Sequence, residues 1–162
     1  MSKTFTTYLE SPVGTLELKT SEDAVLAVIF VENTENSDTE LPEIAKALVK
    51  QLKGYFDGSL LKFDLKLDPQ GTDFQKRVWK KLTNIDFGKK ASYQDMANKL
   101  GDPKVIRAAA SANGKNPISI IIPCHRVIGK DGSLTGYAGG LHRKKWLLEH
   151  ENRIANGVLE LF

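Results

Sequence analysis

Ser92-Tyr93-Gln94-Asp95-Met96-Ala97-Asn98-Lys99-Leu100-Gly101-Asp102-Pro103-Lys104-Val105-Ile106-Arg107-Ala108-Ala109-Ala110-Ser111-Ala112-Asn113 is the stretch on which the fold turns. A serine followed three residues later by an acid is a helix-start signal. Met96, Ala97 and Leu100 then fall on one side of a short helix. Gly101-Asp102-Pro103 breaks it. Lys104 to Asn113 follows as a second helix, composed almost entirely of small residues after Arg107. Helix, tight glycine-containing turn, helix is the pattern of a helix-turn-helix, and also of an ordinary αα-hairpin. The small face favours the former, because it lets a helix backbone approach a grooved partner closely.

Upstream, Thr72-Asp73-Phe74-Gln75 matches a capping box. It opens a helix with Phe74, Val78 and Leu82 on one face and Trp79 beside them. Asp68-Pro69-Gln70-Gly71 reads as a linker and divides the chain into residues 1–70 and 71–162. In the first part, Thr4 to Leu9 and Thr15 to Thr20 are β-type stretches around the turn cluster Ser11-Pro12-Val13-Gly14. Ala24 to Val31 suits a buried strand, and Glu32 to Glu40 a loop. Pro42 suits the first turn of a helix. That helix repeats Ile44, Leu48, Leu52 and Phe56 on one face and stops at Gly58. Leu61, Phe63, Leu65 and Leu67 alternate with Lys62, Asp64 and Lys66, which predicts a half-buried strand.

Charge is distributed unevenly. Residues 1–72 carry 7 Lys+Arg and 12 Asp+Glu, a balance of −5, whereas residues 73–162 carry 16 and 8, a balance of +8. A basic second half suits a polyanion partner, although charges that merely solvate a surface give the same count. No apolar run approaches the roughly 20 residues of a membrane span, and the opening Met1-Ser2-Lys3-Thr4-Phe5 predicts no signal peptide. The single cysteine excludes an internal disulfide, and with 3 His it excludes a multi-thiolate zinc site. A lone thiol is best preserved in a reducing compartment, so the cytoplasm is the expected location.

That cysteine stands at a chemically suggestive place. Ile118 to Ile122 is an apolar run, predicted as a buried strand that ends in Pro123-Cys124-His125-Arg126. A thiolate is a strong nucleophile, and a nearby imidazole or cation raises its population. His125 is adjacent in sequence, but neighbours on an extended segment point apart, so a bridging water is one way to connect them. An inert buried thiol is the competing reading. Gly136-Tyr137-Ala138-Gly139-Gly140 follows, with glycines that let a backbone come close to a flat ligand. On the last helix, Glu151 can orient an imidazole as a carboxylate does in catalytic triads. It can equally be a surface acid at a helix end, where a negative charge is mildly unfavourable.

Asn116-Pro117, then Pro123-Cys124-His125-Arg126-Val127-Ile128-Gly129, then Tyr137-Ala138-Gly139-Gly140, resembles the active-site signature of the O6-alkylguanine-DNA alkyltransferases in their short bacterial form. The resemblance is strong from about Thr72 to Glu151, and before that lies mainly in length and element order. It implies an α+β fold: a small N-terminal ribonuclease-H-like α/β domain followed by a C-terminal winged helix-turn-helix domain. The implied reaction is direct, irreversible transfer of an alkyl group from O6-alkylguanine in duplex DNA, with O4-alkylthymine as a further substrate, onto Cys124. The base is reached by minor-groove binding and nucleotide flipping. By the same resemblance, His125 and Glu151 activate the thiol, and Asn116 is a hinge between the recognition helix and the active-site loop. Tyr93 crowds the 3′ phosphate and bonds the base. Val127, Tyr137, Ala138 and Gly139 line the guanine pocket, where the carbonyls of Cys124 and Val127 and the amide of Ala138 read the base edge. Arg107 fills the gap left by the flipped nucleotide. Ser92, Ala108 and Asn113 join Arg107 and Tyr93 on the DNA side.

Binding-only relatives carry Trp where this chain has Cys124, which favours a working transferase. Asn113, Lys115 and Ser119 depart from residues found in some relatives, and leave the tolerance for bulky adducts open. Zinc-binding relatives use cysteines this chain lacks. No cofactor and no metal are implied, since the lesion is itself the alkyl donor. The expected partner is double-stranded DNA containing O6-alkylguanine, bound by a monomer that can cluster on DNA. The residues alone leave two other readings: a DNA-binding module with an inert thiol, and a thiol hydrolase using Cys124 and His125.

Overall fold

The computed structural model describes residues 3–134 and 136–157. These form two compact units, one running to Gln70 and including Pro117–Ser119, the other comprising Gly71–Asn116 and the chain from Ile120 onward. The Pro117–Ser119 segment joins the first unit as an extra sheet partner. Among the described residues, no helix is long and apolar enough to cross a membrane.

The first unit is an antiparallel meander of β1 (Phe5–Ser11), β2 (Gly14–Thr20) and β3 (Val25–Val31), in the order β1-β2-β3. At the first turn, the Ser11 hydroxyl donates to the Gly14 carbonyl at 2.7 Å and accepts from the Val13 amide at 3.2 Å. Gly14 takes a φ of 117°, which only glycine adopts without strain. Helix α1 (Glu43–Asp57) packs on the sheet. Leu9, Leu16, Leu18 and Val28 are buried on the strands, and Leu48 and Leu52 on the helix. Pro42 stands at the N-cap, one residue before the helical turn predicted for it, and Gly58 ends the helix in the left-handed conformation at φ 87°.

Two expectations for this unit are corrected. The buried stripe of α1 is Ala45, Leu48, Leu52 and Tyr55 rather than Ile44, Leu48, Leu52 and Phe56, which leaves Ile44 and Phe56 half-buried. At 3.6 residues per turn, each step of four overshoots by about 40°, so a strict fourth-residue repeat drifts off the core. The predicted strand at 61–67 does not form. Burial does alternate from Phe63 to Leu67, but the only ladder contact is a parallel bridge between Leu67 and Val25. The main chain at Asp64 bonds the side chain of Gln51 instead, at 2.8 and 3.0 Å. The free edge of β3 is divided: Leu67 bridges Val25 and Ile118 bridges Val28, both parallel.

The second unit holds α2 (Asp73–Leu82), α3 (Tyr93–Lys99), α4 (Ile106–Gly114) and α5 (Leu141–Asn156), with a parallel pair of two-residue strands, β4 (Ala91–Ser92) and β5 (Val127–Ile128). Both expected capping boxes are present. The Gln75 amide donates to Thr72 Oγ1 at 3.1 Å, and the Asp95 amide to Ser92 Oγ at 3.0 Å, each with its reciprocal bond. Between α3 and α4, Gly101 turns at φ 88° and Asp102 caps a short 3-10 turn, Pro103–Val105. Small residues at Ala109 and Ala112 let α4 close against α2, where the Trp79 indole N–H donates to the Ala112 carbonyl at 2.8 Å.

That buried bond yields a stability prediction. Trp79→Phe removes the indole donor and leaves the Ala112 carbonyl only the Lys115 amide at 3.2 Å, so the loss is that of one hydrogen bond, about 0.5–1.5 kcal/mol. Denaturant unfolding should show a loss of this size. An unchanged midpoint would mean that the bond contributes nothing.

Candidate active site

The apolar run before Cys124 is buried, but it is not the strand predicted for 118–122. After the bridge at Ile118 the chain turns, and Ile120 adopts φ 73°, the one positive φ among the described non-glycine residues. A β-branched residue in this region stores roughly 1–3 kcal/mol and persists only where its surroundings fix it. Here the Ile120 side chain is fully packed. The Asn116 amide donates to the Ile122 carbonyl at 2.7 Å and ties the segment into a loop. At Pro123 (φ −82°, ψ 62°) the Cys124 amide bonds back to the Ile122 carbonyl at 2.8 Å, an inverse γ-turn. Cys124–Arg126 then forms one 3-10 turn. The side chains of Cys124, His125 and Arg126 therefore fan out from a tight turn, not from opposite faces of a strand.

Each of the three is buried. Cys124 is 5% exposed and His125 0%. His125 Nε2 lies 2.6 Å from Glu151 Oε2 on α5. Glu151 also holds Arg126, with Nε 2.7 Å from Oε1 and a terminal nitrogen 3.1 Å from Oε2. The other terminal nitrogen of Arg126 donates to the Ile85 carbonyl at 2.6 Å. A carboxylate only accepts, so His125 Nε2 carries the proton and Nδ1 is the acceptor. His125 Nδ1 has no hydrogen-bond partner among the described residues.

The electrostatics follow from burial. Burial pushes the Cys124 thiol up from its ordinary value, while the Asn116 side chain, the Lys144 ammonium and the main-chain amides of Cys124 and His125 pull the other way. Burial also pushes the His125 imidazole down, against the opposing influence of Glu151, so it rests neutral. Burial disfavours the Glu151 anion, but His125 and Arg126 outweigh it and hold the carboxyl well below the usual carboxylate range. Lys144 on α5 is fully buried and donates to the Val127 carbonyl at 2.6 Å. Burial brings it down from 10.5 to about 8, with Cys124 opposing.

The other site residues named from the sequence fall into two groups. Arg107 and Ala108 are exposed on α4. Tyr93 is half-buried at the start of α3, with Ser92 as its cap. Tyr137 is half-buried, Ala138 exposed and Gly139 buried, in the segment that leads into α5. Asn113, expected on the DNA side, instead faces inward: it is buried, with its amide 3.4 Å from the Cys124 carbonyl. The cause is its place on α4, on the same side as the buried Ala109 and Ala112. Together with Asn116 it connects the end of α4 to the cysteine loop. The sequence reading missed Arg126 and Lys144. Lys144 did carry a signal, since it shares a helical stripe with Leu147, Leu148 and Glu151, all buried. A lysine on an apolar stripe needs a partner.

Stability against pH follows from Glu151. Its folded value lies below its ordinary value of 4.5, so its stabilising contribution is complete above that pH and is lost on acidification below it. Glu151→Gln should be less stable than the parent near neutrality, with the gap closing in acid. Thermal unfolding across the pH range checks this, and a gap independent of pH would contradict it.

Comparison with known proteins matches these features. The family profile described as "6-O-methylguanine DNA methyltransferase, ribonuclease-like domain" covers residues 4–69, and its companion "DNA binding domain" covers residues 73–153. The methylated-DNA–protein-cysteine methyltransferase of Mycobacterium tuberculosis is 46% identical over 158 residues, covering 95% of this chain and 96% of the relative. A crystal structure of the O6-methylguanine methyltransferase of that organism aligns with a TM-score of 0.85 at 43% identity, over 97% of this chain and 98% of the other. A crystal structure of the same organism's protein in complex with DNA aligns with a TM-score of 0.83 at 46% identity, over 91% and 92%. With both domains and nearly its whole length matched, the chain belongs to the methylated-DNA–protein-cysteine methyltransferase family, the O6-methylguanine-DNA methyltransferases.

Proposed function

We propose that this protein repairs DNA by moving the alkyl group of O6-alkylguanine in a duplex onto the sulfur of Cys124, once per molecule and irreversibly. The observation that carries this reading is a buried thiol on the same 3-10 turn as a buried imidazole whose Nε2 is held by the Glu151 carboxylate at 2.6 Å. That is the arrangement for drawing a proton off a nucleophile. It stands in the helix-turn-helix unit, where Asn113 and Asn116 link the cysteine loop to α4.

On this reading the exposed, small-residue face of α4 enters the minor groove. The target base is extruded, at a cost of a few kcal/mol, and the Arg107 guanidinium stacks in the gap and offsets part of that cost. Tyr93 crowds the phosphate and bonds the base. Tyr137, Ala138 and Gly139 line the pocket, and Val127 and Cys124 present carbonyls to the base edge. The Val127 carbonyl already accepts from Lys144, so its second lone pair is the one that faces guanine. His125 Nδ1 takes the thiol proton, directly or through a water. The S–C bond forms as the C–O6 bond breaks, and the departing guanine takes up a proton. O4-alkylthymine offers the same alkyl–oxygen carbon and is a second substrate on this reading. The product thioether does not hydrolyse usefully, so Cys124 is not regenerated. The protein works as a monomer that clusters on DNA, in the cytoplasm, where the thiol stays reduced.

Intact-mass measurement after mixing with O6-methylguanine duplex tests the proposal. One methyl per protein should be gained, none in Cys124→Ala, and repair should plateau at one lesion per active molecule. Sustained turnover would point to a thiol hydrolase, and repair by Cys124→Ala would leave an inert thiol in a DNA-binding module.

A second test addresses Arg107. Arg107→Ala should slow transfer from duplex more than from single-stranded DNA, where no gap needs filling. Equal losses on both would reduce Arg107 to a phosphate contact, with a lowered salt dependence of binding.

A further inference from the structure

Glu151 is bound by two cationic or potentially cationic side chains, and only one of them belongs to the proton relay. Arg126 grips both carboxylate oxygens, at 2.7 and 3.1 Å, and is itself braced by the Ile85 carbonyl at 2.6 Å. Its guanidinium also lies over the Phe87 ring, 5.7 Å from the centroid. His125 Nε2 lies 2.6 Å from Oε2, and the Gly88 amide donates to Oε1 at 3.5 Å. We propose that Arg126 is a positioning residue for the relay: by neutralising Glu151 it keeps His125 uncharged at rest, so that Nδ1 is available to accept the proton of Cys124. The inference rests on the alkyl-transfer reading of Cys124.

Charge balance in a buried site sets the protonation of this pair. Glu151 is 1% exposed and Arg126 7%, so their charges are compensated by each other and not by water. A buried carboxylate left alone recruits a proton, on itself or on whatever base touches it. His125 touches it. Without the guanidinium, the Glu151–His125 pair would hold one proton more near neutrality. If that proton sat on His125, Nδ1 would become a donor. If it sat on Glu151, the carboxyl would donate to Nε2 and the imidazole proton would move to Nδ1. Either way the nitrogen that must accept from Cys124 is blocked. With Arg126 in place the Glu151–Arg126 pair is neutral as a unit, and it still fixes the imidazole through a charge-assisted bond.

Among the described residues, the charged groups that act on His125 are Arg126 on its own turn, and Glu151 and Lys144 on α5. Lys144 acts in the same sense as Arg126 and donates to the Val127 carbonyl. Arg126 combines charge with two direct bonds to the relay carboxylate. Its direction of influence agrees with the low basicity of His125, to which burial contributes most.

The test compares single-turnover methyl transfer against pH for the parent, Arg126→Met, Arg126→Gln and Arg126→Lys, alongside nitrogen chemical shifts of the His125 imidazole in each. In the neutral variants the acid limb should move to higher pH, with transfer slowed about tenfold or more near pH 6.5 and largely recovered in alkali. Arg126→Lys keeps the charge and should keep the acid limb near that of the parent. A merely structural role would lower the melting temperature and the rate at all pH values without moving the limb, and that result overturns the proposal. Arg126→Gln retains an amide for the Ile85 carbonyl and serves if Arg126→Met does not fold. If neither folds, the parent shifts decide: a cationic His125 near pH 7 overturns the proposal, and a neutral imidazole protonated on Nε2 supports it. Failure of the parent to gain a methyl would reject the transferase reading, whereas methyl gain with an unmoved acid limb in the neutral variants rejects only the role of Arg126.

Discussion

Burying the Glu151 carboxylate would cost several kcal/mol were it alone. It is instead the acceptor at the centre of the second unit, binding His125 from one side and Arg126 from the other. Each partner comes from the single 3-10 turn that carries Cys124, and Glu151 itself comes from α5, more than 20 residues downstream. The carboxylate thus fixes the last helix to the reactive turn. Removing any one member would leave the others with fewer partners in a buried site, so position and protonation state are set together.

A second set of ties runs from the same turn toward α4. Asn113 and Asn116 donate to the carbonyls of Cys124 and Ile122, while Trp79 on α2 holds the Ala112 carbonyl one residue before Asn113. Helix α4, the cysteine loop and α2 are therefore coupled by buried hydrogen bonds. The strained Ile120 lies inside this loop. Its backbone conformation persists because Asn116 closes the loop around it and its side chain is packed.

Lys144 brings another positive charge into the same interior. Lys144 and Cys124 act on each other through charge. The ammonium offsets part of the burial penalty on a Cys124 thiolate, although burial still pushes the thiol up. The same residue supports the Val127 carbonyl, so charge and pocket shape share one side chain.

Local signals were legible in the sequence because their physics is local. The capping boxes at Thr72 and Ser92 involve atoms three residues apart, and the glycine stop at Gly58 needs only its own φ. The β-type stretches around the turn at Ser11 to Gly14 and the helix-break-helix around Gly101 were equally readable. Tertiary structure decided what depends on partners distant in sequence. Leu61 to Leu67 alternates like a strand, yet Gln51 supplies its main-chain bonds; Ile118 to Ile122 has strand composition, yet Asn116 and Pro123 fold it into a loop. Asn113 points to Cys124 because of the side of α4 on which it lies. The sharing of Glu151 between His125 and Arg126 has no sequence signature at all. Residues 125, 126 and 151 meet only when α5 packs against the turn, and charge balance in a buried site is a property of that packing.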